Sequence, residues 1–589
     1  MLRLSLLPAA VLALSSTLAA NEADQALLNL FDEERAYMYA QYPQLATSRG
    51  GNAYNDRLET VTPAALEARN AQDRRFLDRL VRIDRDALSA EYRIDYDLFE
   101  WMVDNRLKTA AHRPWLIPFM SDSGFHSYLP SLWRGLAFAS VTDYEDYLAR
   151  LNDVPRLFDE HIANMRQGMR EGITMPAVVM PGFTSTVSGA VVDAAENTAF
   201  WTPFATLPAT LPAVEKKRLQ AAGREAIEAV VMPAYVELAA FFNDEYTPAA
   251  RQSIGITEVP GGKAYYETLV RYYTSLDISA REVHEIGLAE VSRIRSEMEA
   301  IIREVEFEGS FAEFLRFLRT DEQFYAKSPR ELLMHASYLA KKADGKLPAF
   351  FKTLPRQPYT VEPVPDHLAP NYTTGRYVSG PVGGTRPGAY WVNTYQLDRR
   401  PLYNLPALTL HEAVPGHHLQ SAISREQQNV PAFRIGMYPH AFGEGWGLYA
   451  EKLGVEMDFY ETPYEHFGRL SYEMWRACRL VVDTGMHAMG WSRDEAVTLM
   501  RDNSALSLHN INTEVDRYIS WPGQALAYKM GELTLWRLRA KAEAALGASF
   551  DLREFHDAVL AGGGLPLSIL EQQLDAWTEA RLKLRVSQR

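Results

Sequence analysis

Cysteine is nearly missing: Cys478 is the only one in 589 residues, so no disulfide can form within the chain. Long apolar runs are missing too. Beyond the first twenty residues nothing offers eighteen uninterrupted apolar positions, which excludes a hydrophobic spanning helix there and predicts a soluble mature protein. Positive charge is in deficit, with 61 Lys and Arg against 75 Asp and Glu and a formal charge of −14. That balance excludes the broad basic surface by which a protein holds nucleic acid or an anionic membrane. There is no internal repeat, low-complexity tract or long block of like charge, and no oligomeric state follows from the sequence.

What is present suffices for a large core, since 47% of residues are hydrophobic and 11% aromatic. Residues 1–20 carry an early positive charge at Arg3, an apolar run and small residues at Ala19 and Ala20. They predict a secretory signal cleaved near Ala20, hence a periplasmic or secreted protein, with a retained signal anchor as the alternative. The lack of a cysteine after that segment argues against a lipid anchor.

Most of the remainder reads as amphipathic helix. Over 280–305, Val283, Ile286, Gly287, Glu290, Ile294 and Met298 recur at three- and four-residue steps. Thr142-Asp143-Tyr144-Glu145 fits a capping box for a helix reaching about Arg170. Breaks at Val259-Pro260-Gly261-Gly262 and across 354–388 suggest a helical part over 21–258 and a catalytic part over 259–589. After the loop 379–388, Ala389-Tyr390-Trp391-Val392-Asn393-Thr394 is rich in strand formers; it is either an edge strand beside the site or a buried strand. His284 and His556 fall in helical segments and read as structural.

The chemistry concentrates in His411-Glu412-Ala413-Val414-Pro415-Gly416-His417-His418. Two histidines four residues apart on one helical face, with an adjacent Glu as base, make a zinc site. Here the spacing is wrong. At ~1.5 Å of rise per residue, His411 and His417 of an intact helix lie about 9 Å apart along the axis on different faces, and His411 and His418 about 10 Å apart. Pro415 lacks the amide that would bond residue 411, and Gly416 accepts dihedrals that other residues refuse. A two-residue bulge there makes His411 and His417 equivalent to the usual pair and turns His418 elsewhere, toward substrate being one direction. The bland reading is a helix ended by Pro-Gly with histidines in a loop.

A third ligand is sought on a following helix. Phe442-Gly443-Glu444-Gly445-Trp446-Gly447-Leu448-Tyr449-Ala450-Glu451 offers Glu444. Its three glycines cost a helix roughly 1 kcal/mol each, which makes sense where another backbone must approach closely. Glu451, two turns on, is either a partner orienting an imidazole or a solvated charge.

HEAVPGHHLQ, FGEGWGLYAE and RYISWPGQALAYKMG (Arg517 to Gly531) resemble the bacterial domain of unknown function 885 family of predicted zinc metallopeptidases. Weaker likeness runs through 143–151, 283–298 and 555–567. That family is similar in turn to the helical peptidases related to angiotensin-converting enzyme, thimet oligopeptidase and carboxypeptidase Taq. The resemblance implies a mainly α, two-lobed zincin-like peptidase with a small sheet beside the metal and a deep central cleft admitting short peptides. It implies His411, His417 and Glu444 as Zn²⁺ ligands and Glu412 as general base. The inserted Pro-Gly departs from the wider clan, so His417 and His418 both stay open as second ligand. The stretch 509–518 resembles the region of angiotensin-converting enzyme in which a His precedes an Arg-Tyr pair. It implies Tyr518 as oxyanion donor, with His509 as a second donor or substrate contact; a packed tyrosine is the ordinary alternative. Arg376, Arg386, Arg517 and Lys529 are available for a peptide carboxylate, none of them assigned.

The expected activity is zinc-assisted hydrolysis of amide bonds in short peptides. Two alternatives accompany it: hydrolysis of cell-wall-derived or other non-standard amides, and a catalytically dead periplasmic peptide-binding protein.

Overall fold

The structure is a computed structural model describing residues 21–189, 192–366, 368–380, 386–427 and 430–587. The expected signal segment 1–20 and loop residues 381–385 lie outside the described residues. The fold is mainly α, with one three-stranded sheet among the described residues.

Helix α1 (Val141–Asn152) begins one residue before the expected cap, because Ser140 is the residue that caps it. The Ser140 hydroxyl accepts from the Asp143 amide at 3.3 Å and the Asp143 carboxylate accepts from the Ser140 amide at 2.8 Å. Nor does one helix run to Arg170. Pro155 has no amide for the carbonyl four residues back, so the chain restarts as α2 (Val154–Glu171) with this proline in its first turn. The apolar stripe of 280–305 forms α3 (Ala280–Glu304), capped by Ser279 and Glu282 and burying Val283, Gly287, Ile294 and Met298.

After α4 (Pro329–Phe350) come β1 (Tyr359–Pro363), β2 (Gly375–Val378) and β3 (Gly388–Val392) in the spatial order β1-β3-β2. β3 pairs parallel with β1 and antiparallel with β2. The segment read as a possible edge strand is therefore the central, buried one, and β1 and β2 are the edges. The carbonyl of Thr374 accepts from the Asn393 amide at 2.9 Å. Residues of an antiparallel pair alternate between bonding the neighbour and pointing away. Gly375 and Tyr377 thus turn their backbone groups to the free edge.

The chain then builds α5 (Leu405–Glu412), α6 (His417–Glu426), α7 (His440–Glu456), α8 (Pro463–Ala488), α9 (Leu508–Ser520) and α10 (Ala527–Leu546). α3 lies against α8 so closely that a Cβ on Gly287 would meet the Leu480 side chain at 2.7 Å. Lys529 on α10 joins this bundle: fully buried, its ammonium meets Glu290 of α3 at 3.0 Å and Glu473 of α8 at 2.7 Å, with Glu532 as a third partner. A lysine so enclosed by carboxylates ties helices together and is not free to hold a peptide. His284 and His556 are core residues, bonded to Thr484 at 2.8 Å and to Tyr449 at 2.7 Å.

One apolar core joins Leu151, Phe158 and Phe183 to Ile294, Leu470, Cys478 and Val515, so it spans the break near residue 258. A second core packs Tyr390 of β3 against Leu408, Leu410, Trp446 and Leu535. It clamps α5 between the sheet and α7.

Candidate metal centre

The helix carrying His411 does not bulge at Pro-Gly; it stops. α5 ends at Glu412, Ala413 takes φ −95° and ψ −111°, the Val414–Pro415 peptide is cis, and α6 starts at His417. The Trp446 indole donates to the Pro415 carbonyl at 2.8 Å and the His418 amide to the Ala413 carbonyl at 3.0 Å. A Cβ on Gly416 would overlap the His411 carbonyl oxygen, so only glycine fits this step.

The break brings the two imidazoles together, with ring centroids 4.7 Å apart and planes nearly perpendicular. Glu444 of α7 completes the group: its Oε2 stands 3.8 Å from His411 Nε2 and 3.5 Å from His417 Nε2. Donor atoms of the three residues lie within 4.8 Å of one another, an arrangement that could hold a metal ion. Two ligands of a tetrahedral ion with bonds of ~2.0–2.1 Å sit about 3.3 Å apart, so the two contacts of Glu444 need close by only a few tenths of an ångström.

Each glycine of the FGEGWG segment has its reason. A Cβ on Gly447 would meet the His411 ring at 2.5 Å, one on Gly445 the Gly531 backbone at 2.5 Å, and one on Gly443 the Tyr438 ring. Glu451 is buried and accepts from His411 Nδ1 at 2.7 Å, which leaves Nε2, facing Glu444, as the nitrogen through which this ring could hold a metal. It orients an imidazole rather than standing in solvent. Glu412 is buried too, and its Oε2 accepts the Tyr377 amide of β2 at 2.8 Å.

Burial opposes a charge on His411, yet Glu444, Glu451 and Glu412 together hold its pKa up at about 10. Burial likewise opposes the Glu444 carboxylate, and the two histidines hold it ionised well below the usual range. His411 and the carboxylates around it thus favour one another's charged forms.

His418 takes no part. It is 1% exposed, bonds the Tyr377 hydroxyl through Nδ1 at 3.1 Å and packs its ring 4.6 Å from that of Tyr359. It points into the sheet and not toward a substrate, and burial lowers its pKa to about 4.

Tyr518, on α9, is 1% exposed; its hydroxyl donates to Glu514 at 2.7 Å and accepts from Arg479 at 2.8 Å and Trp475 at 3.0 Å. His411, His417, Glu412 and Glu444 are not among its partners. His509 is exposed near the start of the same helix, nine residues and so about 13 Å of axis from Tyr518. Arg517 bonds Gln524 at 2.7 Å, and Arg386 is exposed. The tyrosine that does reach this group is Tyr438, whose hydroxyl donates to Glu444 Oε1 at 2.9 Å while 46% of the residue stays accessible. It precedes α7, where no helical period could mark it.

The family model described as "Bacterial protein of unknown function (DUF885)" matches residues 43–574. Among solved structures, a candidate lipoprotein from Colwellia psychrerythraea shares 27% identity at a TM-score of 0.88, over 95% of this chain and 100% of that one. A candidate lipoprotein of unknown function from Shewanella oneidensis shares 18% identity at a TM-score of 0.72, over 94% and 99%; at that identity the likeness concerns the fold alone. No curated protein matches. With nine-tenths of its length covered by one family model, the chain belongs to the DUF885 family of bacterial proteins of unknown function.

Proposed function

We propose that this protein is a zinc-dependent hydrolase of amide bonds in short peptides, working outside the cytoplasm. One observation carries the reading: His411, His417 and Glu444 converge on a single point, and Glu412, their neighbour in sequence, is buried with one oxygen already fixed by the edge strand. Two imidazoles and one carboxylate with room for a fourth ligand are the donor set of hydrolytic zinc sites. A zinc ion held there would supply a Lewis acid and make a water acidic enough to react near neutral pH.

The chain's own groups do the rest. Glu412 Oε2 is held by the Tyr377 amide, leaving Oε1 to take the proton of the attacking water and return it to the leaving amine. Glu451 fixes the His411 tautomer. Tyr438 donates to Glu444 Oε1, which keeps Oε2 turned toward the imidazoles. The outer edge of β2 turns the backbone of Gly375 and the carbonyl of Tyr377 away from β3, while the Tyr377 amide is held by Glu412, so an extended peptide can add as a further strand beside Glu412. The extracytoplasmic assignment draws on the lipoprotein description of the Colwellia relative and the expected signal segment; among the described residues no helix is long and apolar enough to cross a membrane.

The test is metal analysis of the purified chain together with turnover of dipeptides, oligopeptides and muropeptides. One equivalent of zinc with hydrolysis of ordinary peptides is expected. Cleavage confined to muropeptides would move the substrate class, and tight peptide binding without turnover would make the protein a binder.

A further inference from the structure

Most arginines of this acidic chain are matched by carboxylates: Arg293 by Glu290, Glu297 and Glu473, Arg469 by Glu473, Arg479 by Glu514, Arg493 by Asp516. Two beside the edge strand are not. Arg376 lies on β2, exposed, its guanidinium 5.5 Å over the Tyr372 ring. Arg400 is half-buried, and its hydrogen bonds run to the Thr374 hydroxyl at 3.4 Å and the Tyr395 carbonyl at 3.3 Å, both near the limit of such contacts. Neither forms an ion pair among the described residues.

Their placement follows from the strand. Residues two apart share a face, so Thr374 and Arg376 point to the same side, and Arg400 meets Thr374 there. Gly375 and Tyr377 face the other way, toward Leu408 and His418. Glu412 is bonded at Tyr377, three residues and so about 10 Å of strand from Thr374. A peptide adding antiparallel to β2 runs with its C-terminus toward Thr374. If its scissile bond lies at Glu412, two or three residues remain before it reaches the two guanidiniums.

We propose that Arg376 and Arg400 form a carboxylate-binding subsite that anchors the C-terminal end of a peptide lying along β2, so that short C-terminal fragments are released. The carboxylate is the chain terminus or an acidic side chain next to it. Unpaired guanidiniums offer the planar donor fork such a group requires, and the Tyr372 ring lies against the Arg376 guanidinium. The subsite rests on the peptide reading above, but binding tests it without turnover.

Full-length Glu412→Gln protein loaded with zinc is titrated calorimetrically with tetra-alanine as its free acid, with its C-terminal amide, and with the corresponding amide ending in aspartate. The free acid should bind at least tenfold tighter than the neutral amide. Arg400→Met and Arg376→Met, each in the same background, should each remove most of that difference; Arg376 is exposed, so its variant remains informative if Arg400→Met misfolds. An aspartate-ended amide binding like the free acid supports the side-chain source, and one binding like the neutral amide supports the terminus. Equal affinity for all three peptides, no binding of any, or a tenfold difference surviving both substitutions would overturn the subsite. Failure of the parent protein to hydrolyse peptides, with the difference intact, would instead overturn the hydrolase reading and leave the subsite standing.

Discussion

Glu412→Gln should bind zinc as the parent does and hydrolyse peptides about 10²–10⁴-fold more slowly, the range a positioned general base contributes. The substitution keeps the shape of the side chain, and its amide oxygen can still accept from the Tyr377 backbone, as the carboxylate does at 2.8 Å. It removes only the ability to take a proton. His411 stays oriented by Glu451, so the metal donors are undisturbed. Single-turnover rates and metal content, measured on the same preparation, separate these effects. Parent-like hydrolysis by the variant would remove Glu412 from the chemistry, and loss of zinc would mean that its carboxylate shapes the metal site.

Gly416→Ala should abolish tight zinc binding while leaving the helical content largely intact. The added methyl would overlap the carbonyl oxygen of His411. That obstacle is backbone, so no change of rotamer relieves it, and the chain must reopen the turn between α5 and α6. Overpacking of this kind costs about 1–3 kcal/mol, tolerable for a protein with cores of this size. His417 cannot follow without leaving Glu444, 3.5 Å away. The loss of zinc affinity should therefore exceed the roughly 10–100-fold typical of removing an outer partner of a metal ligand. Competition with a chromophoric chelator gives the affinity, and far-UV dichroism reports the helices. Retention of parent-like affinity would show that this turn does not set the ligand geometry.

The heart of the site was readable in the sequence because it violates a local rule. A proline and a glycine inside a histidine-rich helical segment have to change its course, and the FGEGWG glycines weaken a helix unless something must come close. The structure supplies both reasons, a helix ended at Glu412 and an imidazole against Gly447. The stripe of 280–305 was equally plain, since 3.6-residue periodicity and a Ser-x-x-Glu cap point the same way. Contacts between segments distant in sequence were not readable. Which of two short strands forms the edge depends on pairing, and nothing in the composition of 389–394 separates a central strand from an outer one. Tyr438 reaches Glu444 from outside any periodic element. His418 differs from His417 only by the rotation of one helical residue, yet that rotation sends it into the sheet. Tyr518 had a motif to recommend it, but its hydroxyl answers to Arg479 and Glu514, whose positions only packing reveals.

The most direct measurement is the zinc affinity of His417→Ala set beside that of His418→Ala. With the chain broken at Pro415-Gly416, His417 shares its point of convergence with His411 and Glu444, whereas His418 lies between Tyr359 and Tyr377. Zinc should be lost from His417→Ala and kept near parental affinity by His418→Ala. Tight zinc in the first variant and loss in the second would mean that the turn delivers the other histidine, and the site described above would be wrong.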